Sequence, residues 1–213
     1  MTFPVAPVVL PSDLVGVPNG RLFANQLESV FLPGWGFGHL HPKAKQAFDC
    51  FFLAAKLGPL SMSSAQMSAT SPADTYRDYG NQETVFRARY RPTWTAACRS
   101  DRAGKTWHVA NGGDGRFWFQ LARVALAAEP GTSRHGLGLA VDVAVWTEVS
   151  SGRWKILPVQ GNQPLFAWML ANAHLYGLAW EAQSESWHMN YVAGDLVPDQ
   201  VRNMLTYLGV PVV

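Results

Sequence analysis

Charge is scarce in this sequence. Asp, Glu, Lys and Arg make up only 15% of its 213 residues, and the formal net charge is +2. That excludes a disordered acidic or basic tail protein, because such chains combine high charge with few apolar groups. No run of Lys or Arg is present, which argues against dedicated nucleic-acid binding. Cysteine is nearly absent: Cys50 and Cys98 are the only two. Two thiols cannot build a disulfide framework, and neither lies in a CxxC pair, which excludes a cysteine-based metal site. No apolar run approaches the ~18 residues needed to span a bilayer, so no membrane insertion is expected. The first basic residue is Arg21, preceded by Pro4, Pro7, Pro11 and Pro18. Such a start lacks the charged and uninterrupted apolar regions of a signal peptide.

Apolar and aromatic residues are plentiful. They reach 48% and 12%, with nine tryptophans. A chain of this length buries roughly 70% of its unfolded surface without needing a disulfide scaffold. Residues 1–41 are rich in Gly and Pro and read as an extended arm packed on the core. Pro42 suits the first turn of a helix. From Lys43 to Leu57, apolar residues at three- and four-residue spacing predict an amphipathic helix, ended by Gly58-Pro59. Residues 60–75 are expected to hold one strand and a loop, and Gln82–Tyr90 a second helix. Residues 91–115 read as irregular, and Phe117–Ala128 fits helix or strand. Leu139–Trp146 alternates: Val141, Val143 and Val145 share one face, and Ala140, Asp142 and Ala144 the other. Gln163–Tyr176 reads as a helix ended by Gly177, Trp187–Val192 as a strand, and Asp199–Leu208 as a last helix. Helices before, between and after strands predict one α+β domain.

Two segments concentrate chemistry. Ser133-Arg134-His135-Gly136-Leu137-Gly138-Leu139-Ala140-Val141-Asp142 and Glu185-Ser186-Trp187-His188 together supply two imidazoles and two carboxylates. A hydrolytic zinc site takes three protein ligands from His and Asp/Glu and keeps a fourth position open. His135, Asp142 and His188 provide that set. Glu185 is then a carboxylate left over beside the metal, as a general base needs to be. In a strict strand, positions 185 and 188 face opposite sides, so Glu185 must lie on a turn before the strand. The competing reading gives these His and Asp residues only structural hydrogen bonds. His39 and His41 form a second pair that can chelate, but His41 beside Pro42 reads as a helix-entry residue. His108 and His174 read as structural or surface residues.

The pattern SxHxxGxAxD followed by ExWH resembles the zinc D,D- and L,D-peptidases of peptidoglycan, which include VanY-type carboxypeptidases, VanX-type dipeptidases and phage L-alanyl-D-glutamate endolysins. Ser133, His135, Gly138, Ala140 and Asp142 fill the first pattern; Glu185, Trp187 and His188 fill the second. Tyr76-Arg77-Asp78-Tyr79 with Gln82 is similar to the family's YRSxxxQ segment, with Asp78 where Ser is usual. The three motifs keep the family's order across residues 20–208. The surroundings look most like endolysins of actinobacterial phages, with Ser186 where Pro is frequent.

The resemblance implies an α+β fold with a small central antiparallel sheet flanked by helices, as in hedgehog-type and D,D-peptidase zinc proteins, with residues 42–213 as the zinc peptidase domain. It implies one catalytic Zn2+ on His135, Asp142 and His188, and Glu185 as general base and acid. Arg77 would stabilise the oxyanion or a substrate carboxylate. Ser133, Gln82, Tyr76 and Trp187 would contact substrate. Trp35, Trp94 and Trp107 either pack in the core or line a wall-binding surface. The expected activity is hydrolysis of a stem-peptide amide, foremost as an L-alanyl-D-glutamate endolysin. The alternatives are a D-alanyl-D-alanine carboxypeptidase or dipeptidase, and a non-catalytic zinc module that binds the wall. The expected protein is a monomer, made in the host cytoplasm and acting on the wall after release.

Overall fold

A computed structural model describes residues 2–213. The N-terminal segment runs over the surface, with parallel bridges from Val5 to Trp180 and from Val9 to Ala193. It is not extended throughout, as its Gly and Pro content had predicted. Strands β1 (Glu28–Leu32) and β2 (Gly36–Leu40) form an antiparallel hairpin. Val30, Leu32 and Leu40 alternate onto one face and are buried, the period-two signature of a strand. Gly34 and Gly36 take positive φ at the turn, so the glycines mark a hairpin rather than an arm.

Helix α1 (Pro42–Leu57) starts with proline at its first turn and buries Ala44, Ala47, Phe48, Phe51 and Ala55. Strand β3 (Gln66–Ala69) follows. Helix α2 (Tyr79–Arg89) is capped by Asp78, whose carboxylate accepts from the Asn81 N–H at 2.8 Å. Next come three short strands, β4 (Tyr90–Arg91), β5 (Gly104–Thr106) and β6 (Phe117–Gln120), paired in the order β4-β6-β5. The segment expected to be irregular thus carries a small sheet. Its strands are two to four residues long, too short for an alternation to register in sequence. Phe86, Tyr90, Trp107 and Trp118 form an aromatic core beneath it, with Phe86 stacked on Tyr90 at 4.6 Å.

The central sheet is built on β7 (Ala140–Ser150). It pairs antiparallel with β3, with β8 (Arg153–Pro158) and, after helix α3 (Gln163–Asn172), with β10 (His188–Tyr191); β10 pairs in turn with β9 (Leu178–Trp180). Val141, Val143 and Val145 enter the main core with Phe48, Phe51, Met169, Trp180 and Met189. Helix α3 closes through a single 3-10 turn at Gly177, and α4 (Asp199–Leu208) ends at Gly209; both glycines are left-handed. The architecture is a central antiparallel sheet with helices around it, the predicted α+β class. Among the described residues, no helix is long and apolar enough to cross a membrane.

Candidate active site

Strand pairing assembles the site. In β10–β7, His188 sits directly across from Asp142. His135 arrives from the 3-10 turn Arg134–Leu137, which ends in left-handed Gly138 just before β7. The three residues each offer a ligand atom, all within 4.8 Å of one another. Asp142 Oδ1 lies 2.7 Å from His188 Nδ1 and 3.4 Å from His135 Nε2.

The remaining ring nitrogens fix the tautomers. His135 Nδ1 lies 2.9 Å from the Thr75 carbonyl, which can only accept. Nδ1 therefore carries the proton and Nε2 turns its lone pair to the cluster. His188 Nε2 lies 2.9 Å from Glu181 Oε2, so Nδ1 is the nitrogen facing Asp142. One carboxylate oxygen and two imidazole nitrogens converging from a buried wall fit the donor set and number of a hydrolytic zinc site.

The cluster is strongly polarised. Burial pushes the Asp142 carboxyl up, but the hydrogen bond from His188 and the closeness of both imidazoles outweigh it and hold it far below the usual range. Burial favours neutral His188, yet hydrogen bonds to Asp142 and Glu181 raise it to about 9. Glu181 is lowered, chiefly by its bond to His188.

Glu185 meets the condition its position imposed. Strand β10 begins only at His188, whose N–H donates to the Glu185 carbonyl at 3.0 Å across a turn. Glu185 lines the same cleft as the three ligands. Trp180 Nε1 donates to the Ser186 carbonyl at 2.8 Å, tying down the loop that carries it.

The cleft has a volume of about 370 Å³ and also admits Ser133, Arg77, Trp187, Arg89, Lys105 and Arg134. Arg77 is braced by Nε to the Ala73 carbonyl at 2.9 Å and Nη2 to Asp74 Oδ1 at 3.2 Å. Two predicted contacts lie elsewhere. Gln82 is buried, and its amide binds Asn19 Oδ1, the Arg77 carbonyl and the Gly131 N–H. With both ends of the amide occupied, it braces the loops beneath the cleft rather than meeting substrate. The Tyr76 hydroxyl accepts from the Leu22 N–H at 3.1 Å, and the residue lines a separate cavity with His39. The motif placed both residues beside the site but not their side-chain direction. His41 pairs with Asp13 and His108 with Glu129; neither joins the cluster. Trp107 is buried, whereas Trp35 and Trp94 are exposed.

Residues 38–194, well over half of the chain, match the family model of VanY, D-alanyl-D-alanine carboxypeptidase. The chain belongs to the VanY family. It is therefore a zinc metallopeptidase acting on peptidoglycan, with His135, Asp142 and His188 as the group that fits the metal. Among solved structures it is similar to VanYB in complex with D-alanine-D-alanine, at 16% identity over 95% of this chain and 92% of that one, TM-score 0.46. A VanY D,D-pentapeptidase variant in complex with Zn(II) matches at 17% identity over 91% and 94%, TM-score 0.45. The LdcB LD-carboxypeptidase matches at 15% identity over 89% and 90%, TM-score 0.38. No curated protein gives a significant match.

Sequence reasoning missed Glu181, Lys105, Arg89 and Arg134 in this VanY-family cleft. Glu181 had a signal in principle: a β9–β10 hairpin that pairs Trp180 with Met189 brings position 181 beside 188.

Proposed function

We propose that this VanY-family enzyme is an endolysin-type endopeptidase that hydrolyses the amide bond between L-alanine and D-glutamate in the peptidoglycan stem. The observation carrying this reading is the distribution of cations in the cleft. Arg77 and Arg134 stand with the metal-binding residues, while Arg89 comes from the end of α2 and Lys105 from β5 of the small sheet. Lys105 gives one N–H to the Ala127 carbonyl at 2.6 Å, and an ammonium has three. Cations on both walls suit a substrate with carboxylates spread along its length. In L-alanyl-D-glutamate, the leaving nitrogen belongs to a D-residue with a free α-carboxylate, and the stem continues beyond it.

Zinc bound by His135, Asp142 and His188 would polarise the scissile carbonyl and make a water more acidic. Glu185 takes a proton from the attacking water and delivers it to the leaving nitrogen as the C–N bond breaks. Arg77, held in place by its bonds to the Ala73 carbonyl and Asp74, offers a fixed positive charge to the developing oxyanion or the α-carboxylate. Trp187 and Ser133 border the peptide path.

A second reading, D-alanyl-D-alanine carboxypeptidase, is favoured by the description of the matching family. It shares the same chemistry, because terminal D-alanine also presents its nitrogen beside an α-carboxylate. Product analysis separates the two. Purified actinobacterial peptidoglycan is digested with zinc-loaded protein and the fragments are read by mass spectrometry. New N-terminal D-glutamate or D-isoglutamine is the expected product. Release of D-alanine without such ends would replace the endopeptidase reading with the second one.

A further inference from the structure

Asp142, His188 and the residue after β9 form one row across three strands. The register pairs His188 with Asp142 on one side and Met189 with Trp180 on the other. Residue 181 is therefore the next neighbour of His188, and its carboxylate reaches Nε2 at 2.9 Å. Glu181 is itself held. Asn190 Nδ2, fully buried on β10, lies 3.5 Å from Oε2, and Arg134 Nε is 4.0 Å from Oε1.

We propose that Glu181 is the positioning residue of the metal centre, acting through His188; the inference rests on the zinc reading of His135, Asp142 and His188. A carboxylate on the outer nitrogen fixes the tautomer, so that Nδ1 presents its lone pair to the metal. It also sets the ring plane and makes the imidazole a stronger donor. His135 has only a neutral backbone carbonyl in that place, from Thr75, so the two imidazoles are supported unequally. Glu181 is not a further ligand, because the imidazole stands between its bonded oxygen and the converging atoms. Nor does it duplicate Glu185, which lies on the turn before β10 and whose carboxylate is not spent on His188.

The test is zinc affinity, measured by competition with a chromogenic chelator, on the full chain and on Glu181→Ala, Glu181→Gln and Asp142→Ala. Loss of an outer-shell partner typically costs 10–100-fold in metal affinity, so Glu181→Ala is expected to weaken zinc binding about 10–100-fold. Glu181→Gln keeps a carbonyl oxygen to accept from Nε2 and should recover much of that loss, which a merely structural role would not predict. Excess zinc should return Glu181→Ala to near-parental turnover with KM unchanged. Parental zinc affinity in Glu181→Ala, with affinity lost in Asp142→Ala, would overturn the proposal and leave the zinc site standing. Parental affinity in Asp142→Ala would overturn the site and the proposal together.

Discussion

His188 is the residue at which strand register, acidity and metal binding meet. With Asp142 on Nδ1 and Glu181 on Nε2, its metal-free form keeps its proton up to about pH 9. An unfolded histidine loses it near ~6.5. Because the folded value is the higher one, the charged ring contributes stability that is fully present below about pH 6.5. That contribution fades as pH rises through about 9. The Tm of chelator-treated protein should therefore fall between these limits. Zinc must displace the Nδ1 proton, so zinc affinity should rise with pH over the same span, and saturating zinc should flatten the Tm profile. A flat metal-free profile would show that the ring is not held between two carboxylates. His135, Asp142, His188 and Glu185 were legible as residues because their spacing follows chemistry. Glu181 was not, because its role depends on a register set by a strand only three residues long.

At the scale of the element, the approach to β7 is where local geometry fixes the site. Gly138 has φ of +64°, and a Cβ built there would meet the His41 backbone nitrogen at 2.7 Å. The left-handed conformation alone costs a non-glycine residue roughly 1–2 kcal/mol, and the backbone contact adds to it. Gly138→Ala should lower Tm by at least about 2–8 °C and displace His135, with weaker zinc binding as the second readout. An unchanged Tm would mean that the turn relaxes freely. The long periodic elements, α1, β7 and α4, were readable because their apolar spacing repeats. The β1–β2 hairpin was hidden by its Gly and Pro content, since both residues punctuate arms and hairpin turns alike. Strand β8 is mostly exposed and left no alternation to read.

Across the whole molecule, two apolar cores divide the work. The main core supports the sheet that presents the metal-binding residues, and the aromatic core of Phe86, Tyr90, Trp107 and Trp118 supports the wall carrying Arg89 and Lys105. Phe86 is fully buried and stacks on Tyr90. Phe86→Ala should cost about 3–5 kcal/mol of stability. It should also raise KM more than it lowers kcat, since it disturbs the wall and spares the metal-binding residues. An equal fall in kcat with KM unchanged would contradict that division.

In the proposed mechanism Glu185 moves protons without holding the metal. The most direct measurement is zinc content and peptidoglycan turnover on one preparation of Glu185→Gln. The expected result is zinc bound as in the parent and turnover lowered by about 10²–10⁴-fold, the usual contribution of a general acid–base residue. Undiminished turnover, or loss of the zinc, would contradict it.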